Sequence, residues 1–146
     1  TQVFEDWFRK EGPAGVPAAY GKKILLVDDS SFFRAIVRPM LTMAGYDVRE
    51  VKNAAEALAL RDRDERFDVI ISDIEMPGMN GFEFVAEAKK HEVWCDTPIV
   101  ALSAHGTTAD LERGRAAGFD DYVAKFDREG LVQVVNEIVS CKGEAA

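Results

Sequence analysis

Residues 67–81 read FDVIISDIEMPGMNG. Val69, Ile70 and Ile71 are consecutive, apolar and β-branched. A short run of this kind suits a strand buried on both faces, as in a parallel sheet. The run stops at Ser72 and Asp73. Met76-Pro77-Gly78-Met79-Asn80-Gly81 is turn chemistry, because proline fixes φ while glycine and asparagine tolerate positive φ. Asp73 is therefore expected at the carboxyl end of a central strand, where open α/β sheets build their sites. Its plainer role there is to cap the loop.

The same grammar extends in both directions. Ile24 to Val27 is an apolar strand that ends at Asp28-Asp29-Ser30. Ser30 or Ser31 can cap a helix running to about Ala44, where Gly45 stops it. Pro39 inside that helix removes one backbone bond and predicts a bend. Asp47 to Val51 alternates as a second strand, and Asn53 caps a helix carrying Ala54, Ala57, Leu58 and Leu60. Beyond residues 67–81, Phe82 to Lys90 is a third helix and Pro98 to Leu102 a fourth strand. Thr107 or Thr108 caps a fourth helix ending at Gly118. Tyr122 to Ala124 is a fifth strand ending at Lys125. Asp127 to about Cys141 is a last helix, with Leu131, Val134, Val135 and Ile138 on one face. Strand and helix alternate five times. That predicts a doubly wound, flavodoxin-like α/β fold, a five-stranded parallel sheet with five helices and strand order 2-1-3-4-5.

Composition bounds the function. The 146 residues fit one domain, expected over 21–146, after an extension over 1–20. In that extension Val3, Phe4, Trp7 and Phe8 recur at helical spacing, and Gly12 to Ala18 reads as a linker. The aromatics either dock on the main domain or form the tail of a preceding one. Thr1 in the place of Met suggests a processed or excised piece of something longer. A net charge of −8 disfavours nucleic-acid binding, since no basic patch can track phosphates. No run approaches the ~18 apolar residues of a membrane span, so no membrane insertion is expected. Cys95 and Cys141 are isolated and read as reduced thiols of a cytoplasmic protein.

In the doubly wound order the strand ends share one crevice. Asp28 and Asp29 come from the first, Asp73 from the third, Ser103 from the fourth and Lys125 from the fifth. Three carboxylates in one place repel, and a cation must neutralise them. All-oxygen ligands select a hard divalent ion, and Mg²⁺ is the one expected.

Residues 23–141 resemble a receiver domain of bacterial two-component signalling. The resemblance rests on VDDS at 27–30, SDIEMPGMNGFEF at 72–84, ALSA at 101–104 and AGFDDYVAK at 117–125. It implies that Asp73 accepts a phosphoryl group from the phosphohistidine of a histidine kinase or phosphotransfer domain. Asp29, Asp28, Asp73 and the backbone carbonyl of Glu75 would hold Mg²⁺. Lys125 would bind a phosphoryl oxygen, Ser103 would hydrogen-bond another, and Tyr122 would turn inward when Ser103 moves. The switched surface would then meet a downstream target protein. VDDSSFFR, AGFDDYVAKFDR and the aromatic amino-terminal tail look like receivers fused to the carboxyl end of chemotaxis-type histidine kinases.

Each residue also has a plainer reading: Lys125 as a surface lysine, Ser103 as a cap, Tyr122 as a half-buried core aromatic. Receivers usually place proline after the lysine, on a cis bond. Here Phe126 follows, a trans bond is expected, and the aim of Lys125 is in question. Glu75 and His105 flank the phosphoryl position and are expected to tune its lifetime, pairing across the entrance. Two other functions compete. One is a degenerate receiver used only for docking, which the intact acidic, serine and lysine set opposes. The other is a haloacid-dehalogenase-type phosphatase, of which Asp73-Ile74-Glu75 is a loose echo.

Overall fold

Five short stretches each become a strand of one parallel sheet. A computed structural model of the chain describes residues 22–76, 78–103, 108–125 and 127–145. The strands are β1 (Lys23–Val27), β2 (Asp47–Val51), β3 (Val69–Asp73), β4 (Ile99–Ser103) and β5 (Asp121–Ala124). The helices are α1 (Ser31–Met43), α2 (Ala54–Asp62), α3 (Gly81–Ala88), α4 (Thr108–Ala117) and α5 (Arg128–Ala145). All four strand pairs are parallel and the order is β2-β1-β3-β4-β5, as the alternation predicted. The amino-terminal residues 1–20, and Pro77, His105, Thr107 and Phe126, lie outside the described residues.

Period-two alternation sends the side chains of each central strand to two separate layers. Ile24, Leu26, Val69, Ile71, Val100 and Leu102 pack with Phe33, Val37 and Leu41 of α1 and Leu131, Val135 and Val139 of α5. Leu25, Val27, Ile70, Ile99 and Ala101 pack with Ala54, Ala57 and Leu60 of α2 and Phe84, Val85 and Ala88 of α3. Both faces of β3 and β4 are thus covered, and every residue of these two strands is buried. Trp94, fully buried, meets Phe67 and Phe84 edge-on and donates its indole N–H to the Glu65 carbonyl at 2.9 Å.

Element ends carry most of the differences from expectation. Helix α1 itself runs from Ser31 to Met43 with Pro39 inside it, as expected. Ala35, whose carbonyl loses its partner at Pro39, is exposed, so water can serve it. Gly45 ends α1 at φ 106°, and the Tyr46 and Gly45 amides donate back to the Leu41 and Thr42 carbonyls. That pair of bonds is a Schellman stop. Helix α3 begins one residue before Phe82. Asn80 caps it, its side chain accepting from the Glu83 amide while Glu83 accepts from the Asn80 amide. Asp73 is the last residue of β3, at the carboxyl end of a central strand as expected.

Candidate functional site

Strand ends build the site. The Asp28 amide donates to the Val51 carbonyl at 3.2 Å, which carries the β1–β2 pairing one residue past the strand. Ser30 caps α1, its Oγ accepting from the Phe33 amide at 3.2 Å. The Ser30 amide donates to Asp28 Oδ1 at 2.8 Å and fixes that carboxylate. Arg34, one turn into α1, donates through Nη1 to the Asp28 carbonyl and through Nε to Glu50 at 3.0 Å. It ties the backbone under Asp28 to β2. This clamp was not foreseen; the signal for it was an arginine one turn after the capped Asp-Asp-Ser.

Asp73 is aimed by the loop that follows it. The Ile74 amide donates to Leu102 of β4 at 3.0 Å, and the Gly81 amide closes the loop on the Ile74 carbonyl at 2.8 Å. A Cβ at Gly81 would lie 2.6 Å from the Asp73 carbonyl oxygen and 2.6 Å from Ile74 Cα. Only glycine lets the start of α3 lie this close under the end of β3. The Glu75 amide donates to Asp73 Oδ1 at 3.1 Å.

Lys125 leaves β5 with its amide bonded to the Ser103 carbonyl at 2.8 Å. Its Nζ reaches Asp73 Oδ2 at 3.1 Å and Asp28 Oδ2 at 3.2 Å, and lies 4.9 Å over the Phe33 ring. The ammonium therefore points into the site, and the surface-lysine reading falls away. Ser103 is buried at the end of β4, next to β3. Tyr122 is half-buried on β5 and packs against the α2–α3 side of the core. Glu75 is exposed, while its expected partner His105, and Phe126 after Lys125, lie outside the described residues.

Asp28 and Asp73 are buried, Asp29 is exposed, and one oxygen from each lies within 4.8 Å of the others. Asp28 Oδ2 is buried and receives no hydrogen bond, although the Lys125 charge stands beside it. An unsatisfied buried carboxylate oxygen is costly. A small cation taking oxygen ligands from Asp28, Asp29 and Asp73 would satisfy it, so the donor set fits Mg²⁺.

Electrostatics follow from that crowding. Burial pushes the Asp73 carboxyl up to about 6, with the Asp28 charge adding to the rise and Lys125 opposing it. Burial also raises Asp28, against the Ser30 amide and Lys125. Burial alone would lower the Lys125 ammonium, but Asp73 and Asp28 outweigh it and hold it above the ordinary lysine range. The site sets a buried carboxylate beside a fixed ammonium and a cluster of carboxylate oxygens. Such a set can receive a group that carries several anionic oxygens.

Residues 24–136 match the family model described as the response regulator receiver domain. The sensor histidine kinase CheAY of Helicobacter pylori is 35% identical over 123 residues, which cover 83% of this chain and 15% of that protein. The chain thus spans a small part of that relative's length. The chemotaxis response regulator CheY4 of Vibrio cholerae superposes with a TM-score of 0.75 at 37% identity, covering 81% of this chain and 98% of that one. The receiver domain of sensor histidine kinase PA1611 of Pseudomonas aeruginosa, solved with a magnesium ion coordinated in its active-site cleft, gives 0.73 at 31% identity, covering 82% and 98%.

Proposed function

The chain belongs to the response regulator receiver family, and from that membership we propose that it takes a phosphoryl group onto Asp73 from a phosphohistidine, with Mg²⁺ bound. The single observation that carries this reading is Lys125 Nζ held 3.1 Å from Asp73 Oδ2 inside a three-carboxylate cluster.

Asp28 and Asp29 would hold the metal together with Asp73 and the Glu75 carbonyl. Bound there, the ion supplies neutralisation of charge on the transferred group. Asp73 attacks phosphorus with one carboxylate oxygen, and the P–N bond to the donor imidazole breaks. Lys125 then moves from the carboxylate to a phosphoryl oxygen as a point charge. Ser103, at the neighbouring strand end, donates to a second oxygen, and Tyr122 follows it as the switch. Glu75 and His105 set how long the adduct lasts. The chemotaxis relatives support a chemotaxis pathway, with a histidine kinase or phosphotransfer domain as donor and a target protein reading the switched face. Among the described residues no helix is long and apolar enough to cross a membrane.

Intact mass after incubation with Mg²⁺ and acetyl phosphate tests this reading. The protein should gain one phosphoryl group, and none with a chelator present. No gain under conditions that label an ordinary receiver would sink it in favour of docking alone. A second outcome concerns pH. Metal ligation requires an ionised Asp73, whose carboxyl is pushed up to about 6. Mg²⁺ affinity should therefore weaken by at least about tenfold per pH unit below about 6 and level off above it. Titration calorimetry between pH 4.5 and 7.5 measures this. A flat profile would mean that Asp73 is not a ligand.

A further inference from the structure

Helix α1 is apolar around most of its circumference, yet the sheet buries only one arc of it. Phe33, Val37 and Leu41 face the core. Phe32, Ile36, Pro39 and Met43 recur four, three and four residues apart and form a second stripe along the helix. Phe32 is 76% exposed and Met43 88%, the two large hydrophobics so exposed among the described residues. Beside the stripe an open groove of about 450 Å³ runs between α1 and α5, lined by Met40, Glu129, Val132, Gln133, Asn136 and Glu137. A wide exposed apolar face normally has a cover.

We propose that the chain's own residues 1–10, TQVFEDWFRK, dock on this face of α1 and on the groove beside it. Val3, Phe4, Trp7 and Phe8 repeat at helical spacing and supply one aromatic edge. Ten helical residues span about 15 Å, and Phe32 to Met43 spans about 16 Å. The reach is sufficient. The Lys22 carbonyl accepts from the Asp47 amide at 2.9 Å, and Asp47 lies just beyond the carboxyl end of α1. Residues 11–21, extended, cover up to about 35 Å from there. Residues 1–10 carry two acidic and two basic side chains, and it is the basic end, Arg9 and Lys10, that would meet Glu129 and Glu137 at the rim of the groove. Phe32 is three residues from Asp29, so the covered face reaches the edge of the carboxylate cluster.

Fluorine NMR of the full chain carrying 5-fluorotryptophan tests the docking. The chain has two tryptophans, and Trp94, fully buried, serves as the internal standard. Trp7→Phe assigns the signals. The expected result is a Trp7 signal shielded from solvent, with a reduced H₂O/D₂O shift that does not depend on protein concentration. Phe32→Asp with Met43→Glu should move that signal to the fully exposed position and leave Trp94 unmoved. Phe4→Asp with Phe8→Asp, which leaves residues 22–145 untouched, should do the same. A fully exposed Trp7 in the parent protein overturns the proposal. So does a shielded Trp7 that ignores the α1 changes, or shielding that fades on dilution, which would place the segment on a second copy.

Discussion

Asp73→Asn should take up no phosphoryl group from acetyl phosphate and should, without metal at pH 7, be more stable than the parent. The first effect is all-or-none, because the amide has no anionic oxygen to attack phosphorus. The second follows from the buried carboxyl. Its ordinary value is 3.8 and burial beside Asp28 pushes it up to about 6. The folded state therefore holds its proton more tightly than the unfolded state, and stability is lost as pH rises from about 4 to about 6. Below about 4 both states are protonated and there is no cost. Above about 6 the full cost is present, up to roughly 3 kcal/mol. Asparagine carries none of it, although Lys125 loses one of its two partners. Lys125 itself is held above the ordinary lysine range, so its own contribution persists through neutrality and fades only in alkali. Urea unfolding of parent and variant in chelator, at pH 4 and pH 7, reads the difference directly. The two curves should coincide more nearly at pH 4. Mg²⁺ at a hundredfold excess over its dissociation constant should then stabilise the parent by about 2.7 kcal/mol and the variant far less. A variant less stable than the parent at pH 7 would show that the Lys125 pairing outweighs burial.

Gly81→Ala should cost stability and labelling together. The added methyl would sit 2.6 Å from the Asp73 carbonyl oxygen and 2.6 Å from Ile74 Cα, both main-chain atoms that no rotamer can move aside. Either the start of α3 or the end of β3 must shift, at roughly 2–3 kcal/mol. The shift falls on the residue that carries the attacking carboxylate. A displacement on the order of 1 Å is enough to slow a positioned reaction about a hundredfold. Gly114→Ala is the control. A methyl there meets Phe119, Tyr122 and Phe82 at 3.6–3.9 Å, ordinary contact, and an alanine inside α4 favours the helix by up to about 1 kcal/mol. Acetyl phosphate labelling rates and denaturant midpoints for the two variants separate the cases. Unchanged labelling in Gly81→Ala would show that the loop tolerates the shift without re-aiming Asp73.

What local chemistry governs was readable from the chain. Strand and helix periods are properties of neighbouring residues, so the five alternations and the doubly wound class followed from them, and with that class the placement of Asp28, Asp29, Asp73, Ser103 and Lys125 at the carboxyl ends of their strands. Helix ends were less legible. The reciprocal Asn80–Glu83 box moved the start of α3 by one residue. Other features belong to tertiary structure alone. That Gly81 lies under the Asp73 backbone depends on how closely α3 meets β3. That Lys125 faces two carboxylates and the Phe33 ring depends on β5 pairing beside β4 and on α1 packing across the sheet. The raised Asp73 carboxyl and the unsatisfied Asp28 oxygen arise because residues distant in sequence exclude water from both. Desolvation is a sum over all neighbours in space, and the order of residues along a chain does not contain that sum until the fold has formed.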